Sequence, residues 1–122
     1  LVSVGAVDPM TDHPFVAALT ASPFAPPGPE GVDRGELREL VRRGDVIEVE
    51  GIFYSASAID AAARLAARLL ADDPDGFTVS AFREAAGNTR KHAMPLLSHL
   101  DGTGMTRRRG DVRIAGPRLP VL

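Results

Sequence analysis

Residues 76–114 read GFTVSAFREAAGNTRKHAMPLLSHLDGTGMTRRRGDVRI, and the fold of the chain is decided there. Thr78 stands before a short periodic run, Val79, Phe82 and Ala86, that ends at Gly87; it is placed to cap a first helix. Asn88 or Thr89 caps a second, on which Ala93, Leu96, Leu97 and Leu100 recur at i, i+3, i+4 and i+7 and face a core. At about 100° per residue, Lys91, Pro95 and Ser98 fall on the opposite, solvent side with Arg90 at the flank. Pro95 is expected as a kink tolerated on that exposed face. Gly102 and Gly104 end the helix. Met105 to Arg108 and Val112 to Ile114 follow as a hairpin turning at Arg109-Gly110-Asp111. Helix, turn, helix and two-stranded ribbon together spell a winged helix.

Working upstream, Asp12-His13-Pro14 looks like a helix entry with proline in the first turn, and Phe15, Val16 and Leu19 give that helix an apolar side. Ser22 to Pro29 holds four prolines and a glycine, a stiff loop. Asp33-Arg34-Gly35-Glu36 has the spacing of a capping box; the helix behind it buries Leu37, Leu40 and Val41 and stops at Gly44. Val46 to Val49 and Ile52 to Tyr54 form a hairpin at Glu50-Gly51. Ser57 and Asp60 are a second possible capping pair, opening a helix with Ala58, Ala62, Leu65, Ala66, Leu69 and Leu70 on one stripe. The order helix, Gly44, strand, Gly51, strand is echoed by helix, Gly104, strand, Gly110, strand, a repeat of about 60 residues. Two winged helices in tandem, rigidly joined, are the expectation: mainly α with small β-hairpins, an α+β fold.

Charge separates the two halves. The net charge of −2 resolves into four Arg against nine Asp or Glu over 1–55, and ten Arg or Lys against seven acids over 56–122. Within 88–118 seven basic residues face two acids, which points that end toward a polyanion. The cations sit at two places: Thr89-Arg90-Lys91 at a helix start, where backbone N–H groups add an anion seat, and Arg107, Arg108, Arg109 on the ribbon. Alone, a basic hairpin is as readily a solvated surface as a binding site; the second cluster tips the balance toward nucleic acid. On a strand, Arg108 must point opposite to Arg107 and Arg109.

Other chemistries are not supported. There is no cysteine, hence no disulfide or thiolate metal site. His13, His92 and His99 are too scattered for zinc and read as surface or RNA-facing. Asp73, Asp75 and Glu84 mimic positions 1, 3 and 12 of a calcium loop, but Thr78 stands where that loop needs glycine. No GxxxxGK[ST] or GxGxxG loop occurs, and no nucleophile or paired-carboxylate arrangement suggests an enzyme. No apolar run is long enough to span a membrane, and LVSVGAVDPM is not built like a signal peptide. Without an initiator Met, the sequence reads as a piece of a longer protein. A DNA-binding regulator and a protein-binding winged-helix pair are the rival readings.

The stretch TVSAFREAAGNTRKHAMPLLSHLDGTGMTRRRGDVRI resembles the C-terminal end of the bacterial selenocysteine-specific elongation factor family, SelB. That family closes on a T-V-x-x-F-R-D helix, a T-S-R-K-Y-A-x-P-L-L-E helix and T-R-R-x-G-D-x-R. The resemblance extends more loosely upstream, over HPFVAAL, LRELVRRGDVIEV and the alanine-rich helix. Here Asn88-Thr89 replaces Thr-Ser, His92 replaces Tyr, and Ser98-His99 replaces a Glu-aromatic pair. The resemblance implies the last two of four winged helices, the final one gripping an mRNA hairpin, the selenocysteine insertion element. It implies RNA contacts at Thr89, Arg90, Lys91, Arg107, Arg108, Arg109 and Arg113. It also implies a cytoplasmic monomer that reaches the ribosome and selenocysteinyl-tRNA through the full-length factor. GTP and magnesium would belong to a part of that factor absent here, with no cofactor in this chain. The expected division is an irregular segment at 1–12, a first winged helix at 13–56 and a second, RNA-binding one at 57–122.

Overall fold

The computed structural model describes residues 13–122; the expected irregular segment at 1–12, Asp12 included, lies outside them. The chain opens on α1 (Pro14–Ala21), α2 (Arg34–Arg43) and a hairpin of β1 (Val46–Val49) and β2 (Ile52–Ser55). It continues through α3 (Ala56–Asp72), β3 (Phe77–Thr78), α4 (Val79–Ala86), α5 (Arg90–Gly102), β4 (Thr106–Arg109) and β5 (Val112–Ala115). From α3 onward the order helix, short strand, helix, helix, ribbon, with sheet order β3-β5-β4, is that of a winged helix. Before it, the described residues hold the helix–helix–hairpin portion of the same arrangement, offset by 60 residues, since β1 and β2 start at 46 and 52 and β4 and β5 at 106 and 112.

Two apolar clusters divide the core. Phe15, Leu19, Leu40 and Val46 form the first, and Phe53 lies edge-on to Phe15 with ring centroids 6.2 Å apart. The second runs from Tyr54 through Ala58, Ala62, Leu65, Ala66 and Leu70 of α3 to Phe77, Phe82, Ala93, Leu96, Leu97 and Leu100. The many alanines on α3 let α4 approach closely, and the large side chains come from the partner elements. Each fully buried leucine or phenylalanine contributes about 1.5–3 kcal/mol.

Most helix ends fall where residue type puts them, with instructive exceptions. Thr78 Oγ1 accepts from Ala81 N at 3.1 Å, as its position before α4 implies. The capping box at α2 is only half made: Asp33 accepts from Glu36 N, but the Glu36 carboxylate turns away and accepts from His13 Nε2 at 2.6 Å. His13 in turn caps α1, its Nδ1 accepting from Phe15 N at 3.1 Å. Those two bonds require the proton on Nε2. His13 is therefore a buried cap that ties α1 to α2, not a surface histidine. At α3 the cap is Ser55, whose Oγ accepts from Ala58 N, and not Ser57; β2 runs into the helix without a linker. The Glu50-Gly51 turn has φ of 52° and 82°, the left-handed pair that two-residue hairpin turns of this twist demand.

Pro95 corrects a second expectation. It is buried rather than solvent-facing, whereas Lys91 and Ser98 on the same broad side are exposed as expected. A helical wheel drawn for one core misses a second packed side. β1 approaches α5, and Tyr54 Oη donates to His92 O at 2.7 Å. Farther toward the helix start, Asn88 Nδ2 donates to Phe24 O at 2.9 Å. The helix is held between its own core and the preceding unit.

Candidate nucleic-acid interface

Thr89 begins α5 in extended geometry and its side chain makes no capping bond. The first N–H groups of a helix have no intrahelical acceptor, and among the described residues no side chain caps them, which leaves the positive end of the helix dipole uncapped there. Thr89, Arg90 and Lys91 are all exposed. The ribbon pairs Arg107 with Ile114, Arg108 with Arg113 and Arg109 with Val112. Arg113 points at α5, so pleat alternation puts Arg108 on that same face and Arg107 and Arg109 on the other.

The consequence is a depression of about 250 Å³ between three elements. Thr78, Val79 and Ser80 from the start of α4 form one wall; Arg90 and Met94 from α5 form another; Arg108, Gly110, Asp111 and Arg113 of the ribbon close it. Arg108 Nε donates to Gly110 O at 3.2 Å, which folds its guanidinium over the turn. The convergence of charge expected from sequence is present, but Arg90, not Lys91, shares the depression with Arg108. Lys91 lies one step round the helix, and Arg107 and Arg109 occupy the far face of the ribbon, exposed.

Arg113 differs in kind from the other six. It is 5% exposed, and its Nη2 and Nε donate to Asp101 Oδ2 at 3.1 and 3.4 Å. Its charge is already balanced inside the fold, so it supports the wall of the depression and offers no free guanidinium to a phosphate. Ser80 and Met94 were not legible as site residues: a serine inside a short helix and a methionine one step from the apolar stripe carry no signal until α4, α5 and the ribbon meet. Thr78 was legible only as a cap.

His92 and His99 lie half-buried on α5. Burial pushes the pKa of both below the ordinary imidazole value, and the Lys91 charge adds to the effect at His92. Burial also raises the Tyr54 phenol, as does the Glu50 carboxylate, so it stays a proton donor to His92 O. Among the described residues no group of His, Asp and Glu is arranged to hold a metal ion. No described helix is long and apolar enough to cross a membrane.

The family model described as elongation factor SelB, winged helix, matches residues 68–115, which run from the end of α3 through β5. The mRNA-binding domain of elongation factor SelB from E. coli, solved in complex with SECIS RNA, is similar with a TM-score of 0.60 and 28% identity, covering 68% of this chain and 69% of that one. A bacterial selenocysteine-specific elongation factor, EF-Sec, gives a TM-score of 0.62 and 26% identity over 70% of this chain. The matched part makes up 14% of that factor's chain. No curated protein sequence matches significantly. Topology and these likenesses agree: over residues 68–115 the chain is similar to the winged helix of elongation factor SelB, and its fold is similar to that of the SelB mRNA-binding domain.

Proposed function

We propose that the chain binds an mRNA hairpin of the selenocysteine-insertion type, and that it does so through the start of α5 and the α5-facing side of the β4–β5 ribbon. The observation that carries this reading is the meeting of Arg90 and Arg108 across one depression, in a fold similar to a domain whose structure holds SECIS RNA. The A-form major groove is too narrow for a helix, so the contact has to be made to phosphates and to bases extruded from a loop or bulge. The depression suits such a base: Val79 and Met94 give it apolar wall, Thr78 and Ser80 give hydroxyls, and the arginines flank it. Arg stacks on an unpaired base and grips phosphate bidentately.

Packing also separates this reading from a DNA-binding one. A helix laid in a DNA major groove needs a free face along its length. On α5 one side meets the core, Pro95 is buried, and His92 and His99 are half covered, which leaves the helix start and a narrow strip through Lys91 and Ser98. In this reading 13–56 serves as a supporting unit and 57–122 as the RNA-binding one, with Tyr54 of the first reaching into the core of the second. Chemistry on GTP and magnesium, and contact with selenocysteinyl-tRNA and the ribosome, would be supplied elsewhere in a full-length cytoplasmic factor. This chain would serve as a monomeric, non-catalytic tether.

A titration with a selenocysteine-insertion hairpin against increasing salt tests the proposal. With about four phosphates neutralised, log affinity should fall against log salt with a slope of about −3, and the hairpin should outcompete duplex DNA. Equal competition by duplex DNA, or affinity indifferent to salt, would overturn it.

A further inference from the structure

We infer that Asp101 is a positioning residue for RNA binding: it sets the pitch of the ribbon against α5 and thereby the gap between Arg90 and Arg108. The inference rests on the RNA reading above and goes beyond it, because Asp101 lies outside the depression and touches no proposed ligand.

Asp101 occupies the last turn of α5 and uses both carboxylate oxygens on the ribbon. Oδ1 accepts from Thr106 Oγ1 at 2.7 Å, and Oδ2 accepts from Arg113 Nη2 and Nε. One side chain therefore holds β4 and β5 separately to the helix that begins with Thr89, Arg90 and Lys91. Thr106 and Arg113 are both buried, while the Asp101 side chain is 25% exposed; removing the carboxylate would leave a buried guanidinium without its partner, which is costly. Toward the turn β5 pairs with β3 through Thr78 and Val112, but among the described residues no side-chain hydrogen bond or ion pair joins the turn to α5, and Arg107, Arg109, Gly110 and Asp111 are all exposed. The pairing with β3 seats β5 against the start of α4; the Asp101 brace is what ties both ribbon strands to α5.

The same carboxylate settles an electrostatic conflict. Arg108 and Arg113 are direct cross-strand partners, and like charges directly opposite destabilise a ladder. Both also line a depression with Arg90. By pairing with Arg113, Asp101 leaves Arg90 and Arg108 as the guanidiniums facing a ligand, in a depression that the Asp111 carboxylate also lines.

The sign of the effect distinguishes positioning from simple charge. Asp101→Asn removes a negative charge near a cationic site, which alone would strengthen binding to any RNA. If Asp101 positions the ribbon, affinity for the hairpin should instead fall by about five- to tenfold, the range for residues that act on a site without touching its ligand, while binding to an unstructured RNA of equal length stays level or rises. Thr106→Val keeps every charge and the Arg113 pair, and should lower hairpin affinity in the same direction by a few-fold; it decides the matter if Asp101→Asn does not fold. The chain has no native cysteine, so spin labels at Ser98→Cys and Asp111→Cys report the helix-to-tip distance in the complete chain. A narrow distribution in the native chain that broadens in Asp101→Asn supports the brace. Hairpin affinity unchanged or raised in a folded Asp101→Asn protein, or an unbroadened distance, overturns it. A native chain that shows no preference for the hairpin would instead remove the RNA reading, and the positioning role with it.

Discussion

At the scale of single residues, identical side chains have been given different work by their surroundings. Arg90 and Arg108 face each other across the depression, Arg107 and Arg109 point away from it, and Arg113 is sealed against Asp101. Replacing Arg90 or Arg108 by Ala should each weaken hairpin binding by about 1–2 kcal/mol, the worth of a charge-assisted hydrogen bond. Because the two converge on one ligand, the double variant should lose less than the sum; equilibrium binding in a double-mutant cycle measures that coupling. Strict additivity would mean that they grip separate phosphates. Sequence predicted that Arg108 would oppose its neighbours, because pleat alternation is local. It did not show that Arg113 would be internal, because its partner lies twelve residues away on another element.

At the scale of elements, the helices and both hairpins were legible from periodicity and turn chemistry, and the two-residue strand β3 was not. Its identity depends on pairing Phe77 with Arg113 and Thr78 with Val112, contacts some 35 residues away that leave no periodic trace. Gly76 makes that pairing possible. Its φ is +129°, and a Cβ there would meet Val112 Cγ2 at 2.7 Å and the Arg113 carbonyl oxygen at 3.0 Å. Gly76→Ala combines an unfavourable backbone conformation with a clash against β5. It should lower stability by about 2 kcal/mol or more, read as a reduced denaturation midpoint. Hydrogen exchange should show β3 and β5 losing protection ahead of α3. Native-like stability in that variant would mean that β3 is dispensable to the ribbon's seat.

Across the molecule, the joint between the two units sets what α5 can present. Tyr54 and Asn88 tie α5 to the preceding unit, and the half-covered His92 and His99 give the fold a pH dependence. Their folded pKa values lie below the ordinary imidazole value of about 6.5. Between that value and the folded ones, the unfolded chain binds protons that the folded chain refuses. Their contribution is thus fully present above about pH 6.5 and is lost as pH falls through the window below it. Thermal melts from pH 7.5 to 5 should show falling stability, and a His92→Gln, His99→Gln variant should show a shallower slope over that range. An unaltered slope would place the pH dependence elsewhere. Secondary structure, the two-fold echo of helix and hairpin, and the basic end were settled by residue order, because capping, periodicity and charge act over a few neighbouring positions. Which arginines meet, which one is internally neutralised, where β3 pairs and which side of α5 is closed were settled only when distant segments packed. Those outcomes depend on who stands opposite whom in space, and no local pattern along the chain encodes the opposite partner.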